Sequence, residues 1–100
     1  MSAYVIASYD IVDPDGFAQY VPGVLPLLEK HGGEIVVADR EARALEGPGR
    51  TIEVVVRFPS TEAAMAWYED PDYAPLRQLR FDTCTANRLV VASEFVPPED

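Results

Sequence analysis

The chain predicts an α+β fold of the split-βαβ kind, and three observations carry that reading. Residues 4–39 run from an apolar strand, Tyr4 to Ile11, through a helical stretch to a second strand, Glu34 to Ala38. Residues 51–96 repeat the plan, from Thr51–Phe58 through helical stretches to Leu89–Val96. Two βαβ units in 100 residues give a ferredoxin-like, four-stranded antiparallel sheet with helices on one face. The third observation concerns the strands themselves, which are apolar on both alternation faces. Ile52, Val54, Val56 and Phe58 share one face of their strand and Val55 the other, while the last strand sets Leu89, Val91 and Phe95 against Val90, Ala92 and Val96. Helices cover only one side of such a sheet, so the second face needs another cover. A second copy of the chain supplies it, and the expected assembly is a homodimer, a dimeric α+β barrel.

The first helix starts at Asp13-Pro14, because Asp is a good N-cap and Pro suits the first helical position. Phe17, Tyr20, Val21, Val24, Leu27 and Leu28 recur at steps of three and four and form one apolar stripe. Pro22 and Pro26 interrupt it, which predicts a kink or a break near Tyr20–Gly23. Gly32 and Gly33 after His31 supply a left-handed stop.

Between Ala38 and Arg50 lies a polar connection of alternating charge with a Gly47-Pro48-Gly49 turn, read as a hairpin with frayed tips. Ser60 caps a short helix carrying Ala63, Ala64, Trp67 and Tyr68, and Asp70-Pro71 ends it. A further helix is expected from Pro71 to about Phe81, followed by a polar connection Thr83–Asn87 and the last strand. Residues 1–96 therefore form a single domain and residues 97–100 a polar tail.

Composition limits the partners. The formal charge is −9, from 17 acidic and 8 basic residues, and Lys30 is the only lysine. Such a surface repels phosphate backbones and anionic bilayers, so neither nucleic acid nor membrane is an expected partner. One cysteine, Cys84, makes no internal disulfide, and its polar surroundings lack the histidine a nucleophilic thiol needs. No signal segment or membrane-length apolar run is present, and the expected location is the cytoplasm. The sequence has no metal-ligand cluster, phosphate loop, dinucleotide fingerprint or haem-ligand signature, so no cofactor is expected.

Asp13-Pro14, Tyr20, His31-Gly32-Gly33, Glu46-Gly47, Arg50, Phe58-Pro59-Ser60, Ala64, Trp67-Tyr68, Pro71, Tyr73 and Arg80 form a signature spread over nearly the whole chain. In this combination the sequence resembles the family called domain of unknown function 1330, within the dimeric α+β barrel superfamily. Asp70 stands where that pattern usually has serine, and Pro22-Gly23 replaces ordinary helical residues. The resemblance implies the dimeric barrel fold but no particular activity. Relatives in the wider superfamily include cofactor-free monooxygenases, cyclases, muconolactone isomerases and dye-decolorising haem enzymes.

Six residues are candidates for a site. His31 is the only histidine; it can serve as a general acid or base, or cap its helix as a cation favoured by the dipole. Arg80 either binds an anionic ligand bidentately or closes a salt bridge with Glu53, Asp10 or Glu94. Arg57 lies on the same strand face as Glu53 and belongs to an ion-pair set or to the binding residues. Tyr20, Trp67 and Tyr68 are aromatic core or pocket wall. In the functional reading Tyr20 and His31 are catalytic, transferring protons, while Arg80, Trp67, Tyr68 and Arg57 bind substrate. The protein is then a small-molecule binder, in its enzymatic form a cofactor-independent monooxygenase, isomerase or cyclase acting on a small aromatic or carboxylated metabolite. The alternative is a ligand-binding or structural homodimer without turnover.

Overall fold

A computed structural model describes residues 1–99. It contains β1 (Ala3–Ile11), α1 (Pro14–Phe17), α2 (Tyr20–Lys30), β2 (Glu34–Asp39), β3 (Ile52–Phe58), α3 (Thr61–Tyr68), α4 (Ala74–Thr83) and β4 (Cys84–Ser93). The strands form one antiparallel sheet in the order β2-β3-β1-β4, the split-βαβ arrangement expected from the two repeated units. The tail residues 97–99 carry no regular structure, and Asp100 lies outside the described residues.

Alternation along the strands decides what each face does. Ala3, Val5, Ala7 and Tyr9 of β1 point to the helices and are buried, as are Ile52, Val56 and Phe58 of β3. The opposite face carries a row that crosses all four strands, with Val37, Val55, Ile6 and Val90 in successive register. One flanking row contains Glu34, Arg57, Tyr4 and Ala92, the other Asp39, Glu53, Ser8 and Arg88. An apolar band bordered by charged groups therefore lies on the side without helices.

Local signals set most boundaries. The Asp13 carboxylate accepts the Gly16 N–H at 3.1 Å, and Ser60 Oγ accepts the Ala63 N–H at 3.0 Å. Helix α2 ends in a Schellman turn: the Gly33 N–H reaches Leu28 O at 2.7 Å and the Gly32 N–H reaches Glu29 O at 3.1 Å. Gly32 has φ +77, a conformation that L side chains rarely adopt.

Four expected boundaries shift. The break in the first helical stretch falls at Ala18–Gln19, ahead of Tyr20, and not within Tyr20–Gly23. Pro22 then occupies the first turn of α2, where its missing N–H has no helical partner to lose, and only Pro26 sits in the helix interior. The last helix begins at Ala74 and runs to Thr83. Beyond it Thr83–Asn87 is no connection, since β4 starts directly at Cys84 and pairs with Ile11. The strand ends at Ser93, leaving Phe95 81% exposed beyond it. Between Asp39 and Ile52 the chain closes the β2–β3 hairpin as an exposed loop without strand structure.

The start of β4 carries a bulge opposite Ser8–Asp10, and Ala86 within it has φ +53. A bulge of this kind turns a side chain away from strict alternation. Here it accompanies Asn87, whose side chain reaches the last helix.

Candidate functional site

A cavity of about 110 Å³ lies between α2 and the sheet. Val5, Ala7, Val54 and Val56 form its floor, and Val24 and Leu28 its roof. Exposed Val21, Ile35 and Ala38 stand at the mouth. Helix α2 passes close to α4. A Cβ on Gly23 would meet Leu76 Cδ2 at 2.6 Å, so glycine at this position permits the close crossing. Gly23 thus has a packing role.

The inner end of the cavity is aromatic and cationic. Tyr9, Tyr20, Trp67 and Arg80 line it. Tyr20 and Tyr73 share a hydroxyl hydrogen bond of 2.7 Å, and Tyr73 packs against Trp67 with ring centroids 4.4 Å apart. Arg80 is 2% exposed, its Nη1 donating to Asn87 Oδ1 at 3.0 Å. The guanidinium lies 5.6 Å from the Tyr9 ring and 5.0 Å from the Phe81 ring. Among the described residues no carboxylate forms a salt bridge with Arg80. The three acids considered as its partners are elsewhere: Asp10 accepts from the Thr51 backbone at 2.8 Å, Glu94 accepts from the Ser2 N–H, and Glu53 is on the opposite face. The Arg80 Nε–H and the Trp67 Nε1–H are both buried without a partner.

The titration behaviour of the site follows from burial. Burial pushes the Tyr9 phenol up to about 12, against the pull of Arg80, and burial together with Tyr73 holds the Tyr20 phenol still further above its ordinary value. Both phenols stay protonated near neutrality. For Arg80, burial opposes the charge, but the surrounding phenols of Tyr73, Tyr20 and Tyr9 give a net upward shift. The guanidinium remains a cation. Among the described residues, no Asp, Glu or His lines the cavity. Its polar groups are therefore two phenols that can donate or accept, one indole donor and one fixed positive charge.

The six candidate residues separate into two groups. Tyr20, Trp67 and Arg80 meet at the cavity. His31 does not: it caps the far end of α2, eleven positions from Tyr20, about 16 Å at 1.5 Å per helical residue. There its Nε2 lies 2.8 Å from Asp70 Oδ2, and Lys30 Nζ lies 2.9 Å from the same oxygen. The hydrogen bonds from His31, the Asp72 N–H and Lys30 hold the Asp70 carboxyl far below its ordinary value. Tyr68 is half-buried outside the cavity, with the Arg77 guanidinium 4.8 Å from its ring centroid. Arg57 is on the open sheet face, paired with Glu34. Cys84 is buried in β4, its thiol pushed up by desolvation.

Sequence reasoning does not single out Tyr9 or Asn87, and it groups Tyr73 with Tyr20, Trp67 and Tyr68 as an aromatic of the helical layer, core or pocket, without assigning it to the site. Strand alternation through Val5 and Ala7 does place Tyr9 toward the helices, so that signal was available. Nothing local predicts the Tyr73 contact with Tyr20, which joins positions 53 residues apart.

A family model described as a domain of unknown function (DUF1330) matches residues 2–94. The chain belongs to this family. No functionally curated protein matches it in sequence. Among solved structures, this DUF1330 chain is similar to a protein of unknown function from Rhodopseudomonas palustris, at 18% identity and a TM-score of 0.79, over 96% of this chain and 84% of that one. It is similar to a dimeric ferredoxin-like protein of unknown function from Thermobifida fusca, at 18% identity and a TM-score of 0.60, over 94% and 92% of the two chains. It is also similar to SnoaB, a cofactor-independent oxygenase from Streptomyces nogalater, at 12% identity and a TM-score of 0.65, over 98% of each chain. At these identities the likeness shows the fold shared by DUF1330 with ferredoxin-like and oxygenase-type α+β proteins.

Proposed function

We propose that the protein is a homodimeric small-molecule binder whose ligand is a small aromatic or carboxylated anion held at Arg80. One observation carries this reading: a guanidinium 2% exposed lines an otherwise apolar cavity, with no carboxylate bound to it among the described residues. An ionised group buried without a partner is costly, and an entering anion supplies the partner. The cavity volume is below the roughly 150 Å³ of an engineered apolar cavity that holds benzene, and the mouth at Ile35 and Ala38 lets a longer ligand extend outward. Dimerisation is supported by the apolar row across the open face and by the dimeric state of the Thermobifida fusca protein.

In the enzymatic form of this reading the site works without a cofactor. Arg80 fixes the anion, Trp67 bounds the apolar part, and, with Tyr73 donating to Tyr20 within their pair, the Tyr20 O–H is left to donate a hydrogen bond to charge that develops beside it. The fold likeness to SnoaB favours this form over a binding module without turnover.

The test is calorimetric titration with benzoate and the neutral isostere benzamide. Benzoate is expected to bind more tightly, and Arg80→Met to cost about 1.5–3 kcal/mol of its binding free energy while leaving benzamide unaffected. Equal affinities for the two ligands would reject the anion site.

A further inference from the structure

Two hydroxyls meet at the inner end of the cavity, and counting their protons fixes the direction of the bond between them. Tyr20 and Tyr73 share one hydrogen bond of 2.7 Å, so one proton lies within the pair and the other is left over. If Tyr20 donated, the spare proton would belong to Tyr73, which is fully buried and is not part of the cavity lining. The charged group acting on Tyr73 is Arg80, and a guanidinium only donates. A buried O–H with nothing to accept it is costly, so Tyr73 donates and the spare proton is that of Tyr20. Tyr20 lines the cavity, where a ligand can accept from it.

Arg80 and Tyr20 each act on the other's charge, so a cation and a neutral donor stand together at this end. The Arg80 Nε–H has no partner, and burial keeps the Tyr20 phenol protonated, a donor near neutrality. A carboxylic acid, with an ordinary pKa near 4, arrives already ionised and meets Arg80 without losing a proton there. The Tyr20 O–H needs an uncharged acceptor, and a carbonyl oxygen is one that brings no proton of its own to place. We infer, as an extension of the anion site proposed above, that the cavity takes small 2-oxo acids. Arg80 holds the carboxylate, the Tyr20 O–H donates to the ketone oxygen, and the apolar tail lies among Val5, Val24, Val54 and Val56 toward the mouth. The two acceptors are adjacent in the ligand because a space of about 110 Å³ leaves no room to separate them. Tyr73 does not touch the ligand; it is a positioning residue that acts through Tyr20.

The probes are 4-methyl-2-oxopentanoate and 4-methylpentanoate, which share a carboxylate and a branched tail and differ in one group, a ketone in place of a methylene. Calorimetric titration of the full-length protein at pH 7 should show the oxo acid binding at least about fivefold more tightly, the gain from one neutral hydrogen bond. Tyr20→Phe should bring the two affinities within about twofold of each other, whereas Arg80→Met should weaken both and keep their ratio. Carbon NMR of the oxo acid labelled at the ketone supplies a second reading. Its resonance should move downfield on binding to wild type and less far on binding to Tyr20→Phe.

Equal affinities of wild type for the two probes overturn the inference, as does a preference for the oxo acid that persists in Tyr20→Phe. Should Tyr20→Phe not fold, the wild-type comparison decides alone. Benzoate separates this inference from the reading beneath it. Benzoate binding that depends on Arg80, without a preference for the oxo acid, removes only the ketone contact. No binding of any of the three ligands removes both.

Discussion

Tyr20 and Tyr73 join their hydroxyls at 2.7 Å across 53 residues of sequence, and this bond ties the start of α2 to the entrance of α4. Three residues before Tyr73, Asp70 gathers Lys30 and His31 at the other end of the same helix. Segment 70–73 thus holds the helix that roofs the cavity at both ends. These contacts, with the close Gly23–Leu76 crossing, tie α2 to α4 and to the segment before it.

The phenol pair should behave as one unit in a double-mutant cycle. Tyr20→Phe leaves the fully buried Tyr73 hydroxyl without its partner, and Tyr73→Phe does the reverse. Each single change should cost about 1–3 kcal/mol in urea unfolding, the penalty for a buried polar group left unmade. The double substitution should cost clearly less than the sum, because no orphan remains. Strict additivity would show that the two hydroxyls do not depend on each other.

Arg80→Met should change stability little. Breaking a buried ion pair costs about 3–5 kcal/mol because it strands a charge, whereas here no carboxylate is stranded among the described residues. The Asn87 bond and the contacts with Tyr9 and Phe81 are lost, and the desolvation of the guanidinium is relieved. These oppose one another, and thermal melts should place the net change within about 1 kcal/mol. A loss on the scale of a broken ion pair would move Arg80 out of the binding site and into the structural core.

Ala86 sits at φ +53 in the bulge that precedes Asn87. A left-handed conformation costs a residue with a Cβ roughly 1–2 kcal/mol, which glycine avoids. Ala86→Gly should therefore raise unfolding stability, by up to about 1 kcal/mol once the extra chain entropy of glycine is counted. Ala86→Val should lower it, and the reverse order in denaturant melts would show that the bulge does not hold this geometry.

What the sequence revealed, and what it hid, follows from how far each interaction reaches along the chain. The caps at Asp13 and Ser60, the Gly32–Gly33 stop and the two-faced strands all depend on residues a few positions apart, and alternation and helical period make them visible. Pro22 and Pro26 dominate the local signal and point to a break after Tyr20, whereas the helix starts at Tyr20 because a first-turn proline has no helical N–H bond to lose. The local signal at the start of β4 misleads in the same way. Thr85, Ala86 and Asn87 look like a turn, and only pairing with Asp10 and Ile11 shows them to be bulged strand. Arg80 and Trp67 stand out by residue type, and both line the cavity. That His31 faces Asp70 rather than Tyr20 depends on long-range packing, which no local pattern encodes.

The acid limb of stability should reveal Asp70. Its folded-state carboxyl titrates far below the ordinary value of 3.8, chiefly through the His31 bond and then the Asp72 N–H and Lys30. A depressed pKa contributes stability that is complete above the unfolded value and is lost as pH falls below about 4 through the folded one. Asp70→Asn should melt lower than wild type at pH 7, and the gap should close as pH drops from about 4. A gap that stays constant over this range would show that the Lys30–Asp70–His31 cluster adds nothing to stability.

The open sheet face sets the last expectation. Val37, Val55, Ile6 and Val90 lie in one register row across the four strands, bordered by the Glu34–Arg57 pair on one side and by Asp39, Glu53 and Arg88 on the other. A monomer leaves this band in water, whereas face-to-face pairing of two sheets buries both bands and surrounds them with charge. Ile6 is at the centre of the row, on a strand paired on both sides, so a carboxylate there has no edge from which to reach solvent in the paired state. In the dimer it would be desolvated and unpaired, at a cost of several kcal/mol, while in the monomer it would simply be solvated. Light scattering at micromolar concentration should therefore give twice the chain mass of 11.0 kDa for wild type and the single mass for Ile6→Glu, with the variant still folded by circular dichroism. A wild-type chain that is folded at the single mass would sink the pairing, and an Ile6→Glu variant that stays dimeric would place the interface on another face.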